Sequence, residues 1–445
     1  MASRPLRDLA HDASAHFSGE VSRPDADKSR LLEFACIRCG ASYPAGLAID
    51  SKGCPRCRET APANLRPVYA TPLPHPFEGG TTSRSLWRFA QMLPCTAAEA
   101  VTLGEGLTPL VAAPRIGAFL GAPNLEIKDE GRNPTWSHKD RFSTVAVSVA
   151  RARSATVVAT ASSGNAGASL AAYAARAGLK CVVTTFAGSA GAMLAQIRKY
   201  GATVLPLVNK MDRWALLEQA AARYDWFIAS PYHGPVVGSH PLGIEGYKTI
   251  AYEIVEQSGG TPPDWCVLPV CYGDALSGVW AGFCELFAQG AITRLPRLVA
   301  AEVHGSLAEA LASGADALNE RKMLFESLAV SIGTPRSTFQ ALKALRESGG
   351  HAVTVTNHGL IAMQERLARD EGIFAELASV TPLLAISTLK DQGIIAATDT
   401  VVAVVTASGL KDLDRSTASN EHDQVFQTTD DAWRWLDSSG LELGS

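Results

Sequence analysis

Lys139 lies just past the turn-forming pair Asn133-Pro134, at the mouth of a helix expected from about residue 140 to 153. The proline pushes the residue before it out of the helical region, so the turn separates the lysine from the segment upstream. Ser137 is the expected N-cap, and Phe142, Val145 and Val149 fall on one apolar face. In a first helical turn the free backbone N–H groups disfavour a protonated amine, and an amine held near neutrality attacks carbonyls. Such a lysine can form a Schiff base. A lone lysine is more often a solvated charge, so its surroundings decide. A second cluster has metal chemistry. Cys36-Ile-Arg-Cys39 and Cys54-Pro-Arg-Cys57, with 14 residues between them, have the spacing of a four-thiolate zinc ribbon. Four thiolates leave no open coordination position, so zinc there would be structural. Four unrelated thiols are the competing reading.

Two small-residue turns are candidate anion sites. Ser162-Ser163-Gly164-Asn165 lies between a strand and an Ala-rich helix, where backbone N–H groups point outward. Cys271-Tyr272-Gly273-Asp274-Ala275 lies between a buried strand, 265–270, and another helix. An acid there opposes an anion unless Asp274 turns away or caps the helix. Thr406 ends a buried strand that starts at Val401, and an isolated threonine in that position more often just closes a core strand.

The stretch Asn133-Pro-Thr-Trp-Ser-His-Lys-Asp-Arg141 resembles the cofactor-lysine motif of threonine synthases and their relatives, pyridoxal-phosphate enzymes of the tryptophan-synthase-β fold type. Segments 104–110, 162–167, 245–249, 331–335, 371–376 and 406–412 follow in the family's order, so the resemblance covers roughly residues 34 to 412. It implies that Lys139 binds pyridoxal phosphate and, once freed, serves as general acid and base at Cα and Cβ of an amino acid. It implies that Ser162, Ser163 and Gly164 hold the substrate carboxylate and that Asn165 meets the carboxylate and the cofactor's phenolic oxygen. Cys271, Tyr272, Gly273, Asp274 and Ala275 then hold the cofactor phosphate, and Thr406 the ring nitrogen. The implied reaction is that of threonine synthase: γ-elimination of phosphate from O-phosphohomoserine and β-addition of water. This needs a second anion site near Ser137, Arg141 or Lys248. Trp136 and His138 replace the family's usual glycine and aromatic, and Ala407-Ser408 its usual Gly-His. A tryptophan there would reshape the substrate pocket; the histidine either moves protons or packs under the helix. These departures keep a related β-elimination, dehydration or cysteate-synthase-like replacement open. Some threonine and cysteate synthases carry a similar ribbon.

Strands and helices alternate beyond Lys139, which reads as βαβ units in parallel sheets. The expected class is α/β: two doubly wound domains with the cofactor in the cleft between them, plus the small N-terminal ribbon. The expected divisions are 1–65 for the ribbon, 66–140 with 260–445 for the large domain, and 141–259 for the small one. The chain has 445 residues, 47% of them apolar, and a net charge of −4. A negative chain is a poor general binder of nucleic acid. No apolar run reaches the roughly 18 residues of a membrane span, and no secretion signal opens the chain. Nine cysteines without such a signal suggest reduced thiols and a cytoplasmic protein. Residues 1–30 read as poorly structured or weakly helical. Residues 60–100, with Pro62, Pro67, Pro72, Pro74 and Pro76, read as a linker, and the last 30, with Trp433 and Trp435, as a terminal helix. The resemblance adds a homodimer.

Overall fold

The structure, a computed structural model, describes residues 30–71, 75, 77, 83–189, 191–323, 325–416 and 425–438. The expectations for residues 1–29 and for Pro72, Pro74 and Pro76 lie outside the described residues. Thirteen strands form three sheets among the described residues. β1 (Leu31–Cys36), β2 (Ser42–Pro44) and β3 (Leu65–Tyr69) make an antiparallel ribbon in the order β2-β1-β3.

The larger sheet combines β4 (Leu110–Ala112) and β5 (Leu125–Asp129) with β10 (Trp265–Pro269), β11 (Arg297–Glu302), β12 (His351–Thr354) and β13 (Val401–Val405). Its order is β12-β11-β10-β13-β5-β4, parallel except for the edge strand β4. The smaller sheet, order β8-β7-β6-β9, uses β6 (Val157–Thr160), β7 (Lys180–Phe186), β8 (Thr203–Leu207) and β9 (Phe227–Ile228), all parallel. β10 and β13 are buried at every residue. This explains their unbroken apolar sequences: a parallel strand covered by helices on both faces has no solvent side to mark with polar residues. The fold is α/β.

Four helices bring the cleft residues into place. The lysine helix, Lys139–Ala152, packs on Asn165–Ala177, which ends at Gly178 in the left-handed region (φ 70°). Lys248–Gln257 packs on Asp274–Ala288. Gly282 makes the second approach possible, since a Cβ on it would lie 2.5 Å from the Lys248 carbonyl oxygen, and Gly246 lets the turn Glu245–Tyr247 meet the lysine helix, where a Cβ would lie 1.8 Å from the Arg141 carbonyl oxygen. The ribbon is docked rather than tethered. Phe34, Cys36 and Leu65 share a core with Leu86, Trp87, Val145 and Leu242, and Tyr69 Oη donates to Glu245 at 2.6 Å.

One local expectation needs correction. The helix starts at Lys139, and its N-cap position is His138, not Ser137. Ser137 is instead drawn into a bridge with Ala407, its Oγ buried and unpartnered. Asp140 turns back on the loop, where Thr135 N (2.6 Å) and the Thr135 hydroxyl donate to it. At the other end, the helix Thr429–Ser438 has no buried residue, and Trp433 and Trp435 stand exposed.

Candidate active site

Lys139 is half-buried, and its Nζ donates to Tyr247 Oη at 3.2 Å. Burial lowers its pKa, against the opposing pull of Asp274, Cys271 and Glu376. Among the described residues no carboxylate bonds it directly, which suits the nucleophile expected of a Schiff-base lysine. Burial also pushes the Cys271 thiol up to about 11 and the Tyr247 phenol well above its usual value, so both stay protonated.

Each loop expected around the lysine comes from a different part of the chain. Asn165 opens the helix after β6, and its Nδ2 donates to Glu376 Oε2 at 2.6 Å; its Oδ1 is buried without a partner. Ser331 Oγ donates to the second oxygen of Glu376, which is 1% exposed. Ser162, Ser163 and Gly164 lie half-buried at the head of the same helix. Gly167 is required one turn on, since a Cβ there would sit 1.9 Å from the Ser162 carbonyl oxygen. Thr406 is 6% exposed at the end of β13, its Oγ1 2.9 Å from Ser379 Oγ. Ser379 Oγ also accepts from Ala407 N at 2.9 Å. A hydroxyl has one donor and two acceptor sites, so either member of the Ser379–Thr406 pair can donate to the other.

Between β10 and the helix Asp274–Ala288, Gly273 takes φ 80°, and a Cβ on it would meet Ala341 Cβ at 2.3 Å. The turn thus presents bare backbone at a helix N-terminus, a ready site for an anion. The carboxylate of Asp274 faces away from it, accepting from Ser239 N (3.1 Å), Ser239 Oγ (2.6 Å) and Gln340 Nε2. Asp274 therefore resolves its conflict with an anion by turning aside. A half-buried amine, a free amide oxygen, the Thr406 hydroxyl and an N–H cradle fit a cofactor that is at once carbonyl, hydroxylated ring and phosphate. A separate cavity of about 610 Å³, lined by Leu65, Pro67, Trp280 and Lys343, does not reach Lys139.

Other expected residues lie elsewhere. Arg141 is fully buried: Nε and Nη2 bind Glu130 at 2.7 Å each, and Nη1 and Nη2 bind Glu253 at 2.8 and 2.7 Å. Lys128 Nζ completes the cluster at 2.8 Å from Glu253. Lys248 is held by Glu245 (2.6 Å), Glu285 (2.9 Å) and the Met92 carbonyl (2.8 Å). Both cations are enclosed in ion networks, which corrects the expectation that they face a substrate anion. Ser137 has a free hydroxyl but sits at 0% exposure. His138 packs: Nδ1 lies 3.1 Å from the Thr406 carbonyl, its ring stacks on Tyr247, and burial, then Lys139, holds it well below its usual pKa. Trp136 holds φ 66°, where glycine enters freely and other residues at about 1–2 kcal/mol, so a glycine there is the unstrained choice. Its side chain is 47% exposed and stands clear of the buried cluster. Glu376 and Tyr247 escaped assignment although both lie in segments singled out above. Ser379, Ser239 and Gln340 gave no sequence signal, because only the fold brings them near.

The four ribbon cysteines converge, with every Sγ within 4.8 Å of the others. Cys36–Cys57 and Cys39–Cys54 are 3.7 and 3.9 Å apart. Thiolates on a tetrahedral ion with bonds of about 2.3 Å stand about 3.8 Å apart, so the spacing fits zinc.

Residues 101–407 match the model of the family described as pyridoxal-phosphate dependent enzyme. The chain is 34% identical to the threonine synthase of Methanosarcina acetivorans, over 81% of this chain and 87% of that protein. It is 37% identical to the threonine synthase of Mycobacterium leprae, over 77% and 91%. Among solved structures, it resembles an L-serine ammonia-lyase from Rhizomucor miehei, with TM-score 0.59 and 19% identity over 70% of this chain and 96% of that one. It also resembles an O-ureido-L-serine synthase, with TM-score 0.55 and 22% identity over 74% and 96%. At these identities the structural likenesses speak for the fold.

Proposed function

The chain belongs to the threonine synthase family of pyridoxal-phosphate dependent enzymes, and from that premise we propose that it converts O-phospho-L-homoserine and water to L-threonine and inorganic phosphate. It is a lyase acting on an amino acid. The observation that carries the reading is a relationship of 34–37% identity over most of the chain, spanning the half-buried Lys139 and the loops around it.

Lys139 would hold the cofactor, Asn165 and Thr406 its ring edge, and the backbone of Cys271, Tyr272, Gly273, Asp274 and Ala275 its phosphate. When bound, pyridoxal phosphate supplies an electron sink for negative charge developing at the amino acid's Cα and Cβ. Lys139 Nζ would move protons at those carbons, a task suited to an amine whose pKa burial has lowered. Tyr247 Oη, in contact with Nζ, keeps it oriented between transfers. Ser162, Ser163 and Gly164 take the substrate carboxylate on backbone and hydroxyl donors. Thr406 offers the ring nitrogen a neutral O–H, which does not force ring protonation as a carboxylate would. Glu376 fixes the Asn165 amide, so that one N–H of Nδ2 is engaged and the other stays available.

The same reading extends to structural zinc on Cys36, Cys39, Cys54 and Cys57, supported by their spacing, and to a cytoplasmic homodimer, supported by the resemblance. Among the described residues no helix is long and apolar enough to cross a membrane. One observation favours a second reading, elimination or β-replacement on another amino acid: Arg141 and Lys248 are locked away from any substrate phosphate. Incubation with O-phospho-L-homoserine separates the two. Threonine and phosphate released in equal amounts support the synthase; no product from it, with keto acid and ammonia from L-serine or L-threonine, replaces the synthase with the second reading.

A further inference from the structure

If the substrate is a phosphorylated amino acid, the cleft needs a donor for a second anion beyond the α-carboxylate. Arg141 and Lys248 are enclosed among carboxylates. Lys411 is 4% exposed, its Nζ bound to the Thr135 carbonyl (2.6 Å) and Gln196 Oε1 (3.1 Å). Arg213 differs from all three. It is half-buried, in the first turn of the helix Asp212–Tyr224, the end of a helix that disfavours a cation. Its Nη1 donates at 3.3 Å to the carbonyl of Ala161, the residue directly before Ser162-Ser163-Gly164, and its Nε at 2.9 Å to Lys210 O. Both acceptors are neutral. Among the described residues no carboxylate pairs with it, and the Tyr272 phenol, kept neutral by burial that pushes its pKa up to about 12, lies within electrostatic range.

That neighbour belongs to the other side of the cleft. Tyr272 follows β10 of the larger sheet, whereas Arg213 and Ala161 belong to the smaller one. Tyr272 is also adjacent in sequence to Cys271, whose thiol acts on Lys139. The guanidinium thus stands beside the substrate-carboxylate loop, on the side of Tyr272 of the cofactor-phosphate loop, with two of its five N–H donors committed and the other three without a partner among the described residues. A planar fork with free donors and no counter-charge is suited to bidentate binding of phosphate.

We propose that Arg213 binds the phosphate group of the substrate and so selects a phosphorylated amino acid. This rests on the synthase reading, and it makes Arg213 a specificity residue outside the proton-transfer machinery. Its role is to hold the leaving group beside the Ser162–Ser163 loop, replacing the cations the sequence had suggested.

The test uses the cofactor-loaded enzyme, Arg213→Ala and Arg213→Lys, with two readouts: KM and kcat for O-phospho-L-homoserine, and calorimetric binding of inorganic phosphate. The expected result for Arg213→Ala is a KM raised roughly tenfold or more and weakened phosphate binding by a similar factor, at unchanged thermal stability and cofactor content. Arg213→Lys should recover part of both. Unchanged KM and unchanged phosphate affinity in Arg213→Ala overturn the inference while leaving the synthase reading in place. If the wild type makes no threonine, the synthase reading fails, and phosphate binding alone then decides Arg213: lost in the alanine variant it supports an anion site there, retained it refutes one.

Discussion

Arg141 gives two opposite predictions, depending on whether it faces substrate or stabilises the fold. Among the described residues its guanidinium is the only cation bonded to Glu130, which also accepts from Thr108 (2.6 Å) and Asn133 (2.9 Å). Glu253 keeps Lys128 at 2.8 Å and Leu107 N at 2.8 Å. Arg141→Met preserves the stem and leaves the Glu130 carboxylate buried without a counter-charge. Breaking a buried pair from one side costs about 3–5 kcal/mol. At about 2–4 °C per kcal/mol for a domain of this size, the melting temperature falls by roughly 6–20 °C. Calorimetry or circular dichroism on cofactor-loaded protein measures this. Adding Glu130→Gln removes the orphaned charge and should recover about 1–3 kcal/mol, a coupling expected only between direct partners. Acid adds a further check. Burial would raise Glu253, but Arg141 and Lys128 overcome it and hold the carboxyl well below its unfolded value of 4.5. A depressed carboxylate stabilises the fold above pH 4.5, and that stability is lost as pH falls through the folded pKa. The wild type therefore loses stability below about pH 4.5, and Arg141→Met loses less over the same range. Assayed well below its melting point, the variant should keep the wild-type KM. Unchanged stability with a raised KM would refute the buried-network account and return Arg141 to the substrate.

Three further outcomes follow from individual contacts. Glu376→Gln keeps the shape beside Asn165 but removes the charge from that hydrogen bond; a loss of about 1.5–3 kcal/mol should lower kcat roughly 10–100-fold, with cofactor content unchanged, and unaltered kcat would dismiss Glu376 as a positioning residue. Gly273→Ala drives a Cβ to 2.3 Å from Ala341 Cβ at φ 80°; it should weaken cofactor binding and destabilise the fold by about 1–3 kcal/mol, measured by equilibrium dialysis and melting. Elemental analysis should find about one zinc ion per chain, lost in Cys54→Ala with a lower melting temperature; metal-free wild type would remove zinc from the account.

Much of the site was legible because its chemistry depends on short, ordered motifs. Lys139 and Asn165 sit in contiguous stretches, and β10 and β13 announce themselves as buried by unbroken apolar runs. Gly273 was legible as part of a turn, though its need for positive φ and for space against Ala341 was not. Arg141 misled because a charged residue two positions past the lysine looks like part of the site. On a helix that offset turns it to another face, where Glu130 and Glu253, 11 residues before and 112 after, close around it. Glu376, Ser379 and Arg213 could not be assigned from local pattern, since their roles depend on which loops the two sheets bring together. Trp136 shows the reverse case: a departure that looked chemical proves to be a backbone position at φ 66° with the ring largely in solvent.

The most direct test of the central claim is the visible spectrum of the purified protein beside that of Lys139→Ala, followed by addition of O-phospho-L-homoserine. The account predicts a Schiff-base band in the wild type and none in the variant, with threonine and phosphate formed only by the wild type. A protein with no such band after incubation with pyridoxal phosphate, or a Lys139→Ala variant that keeps both band and turnover, would contradict it.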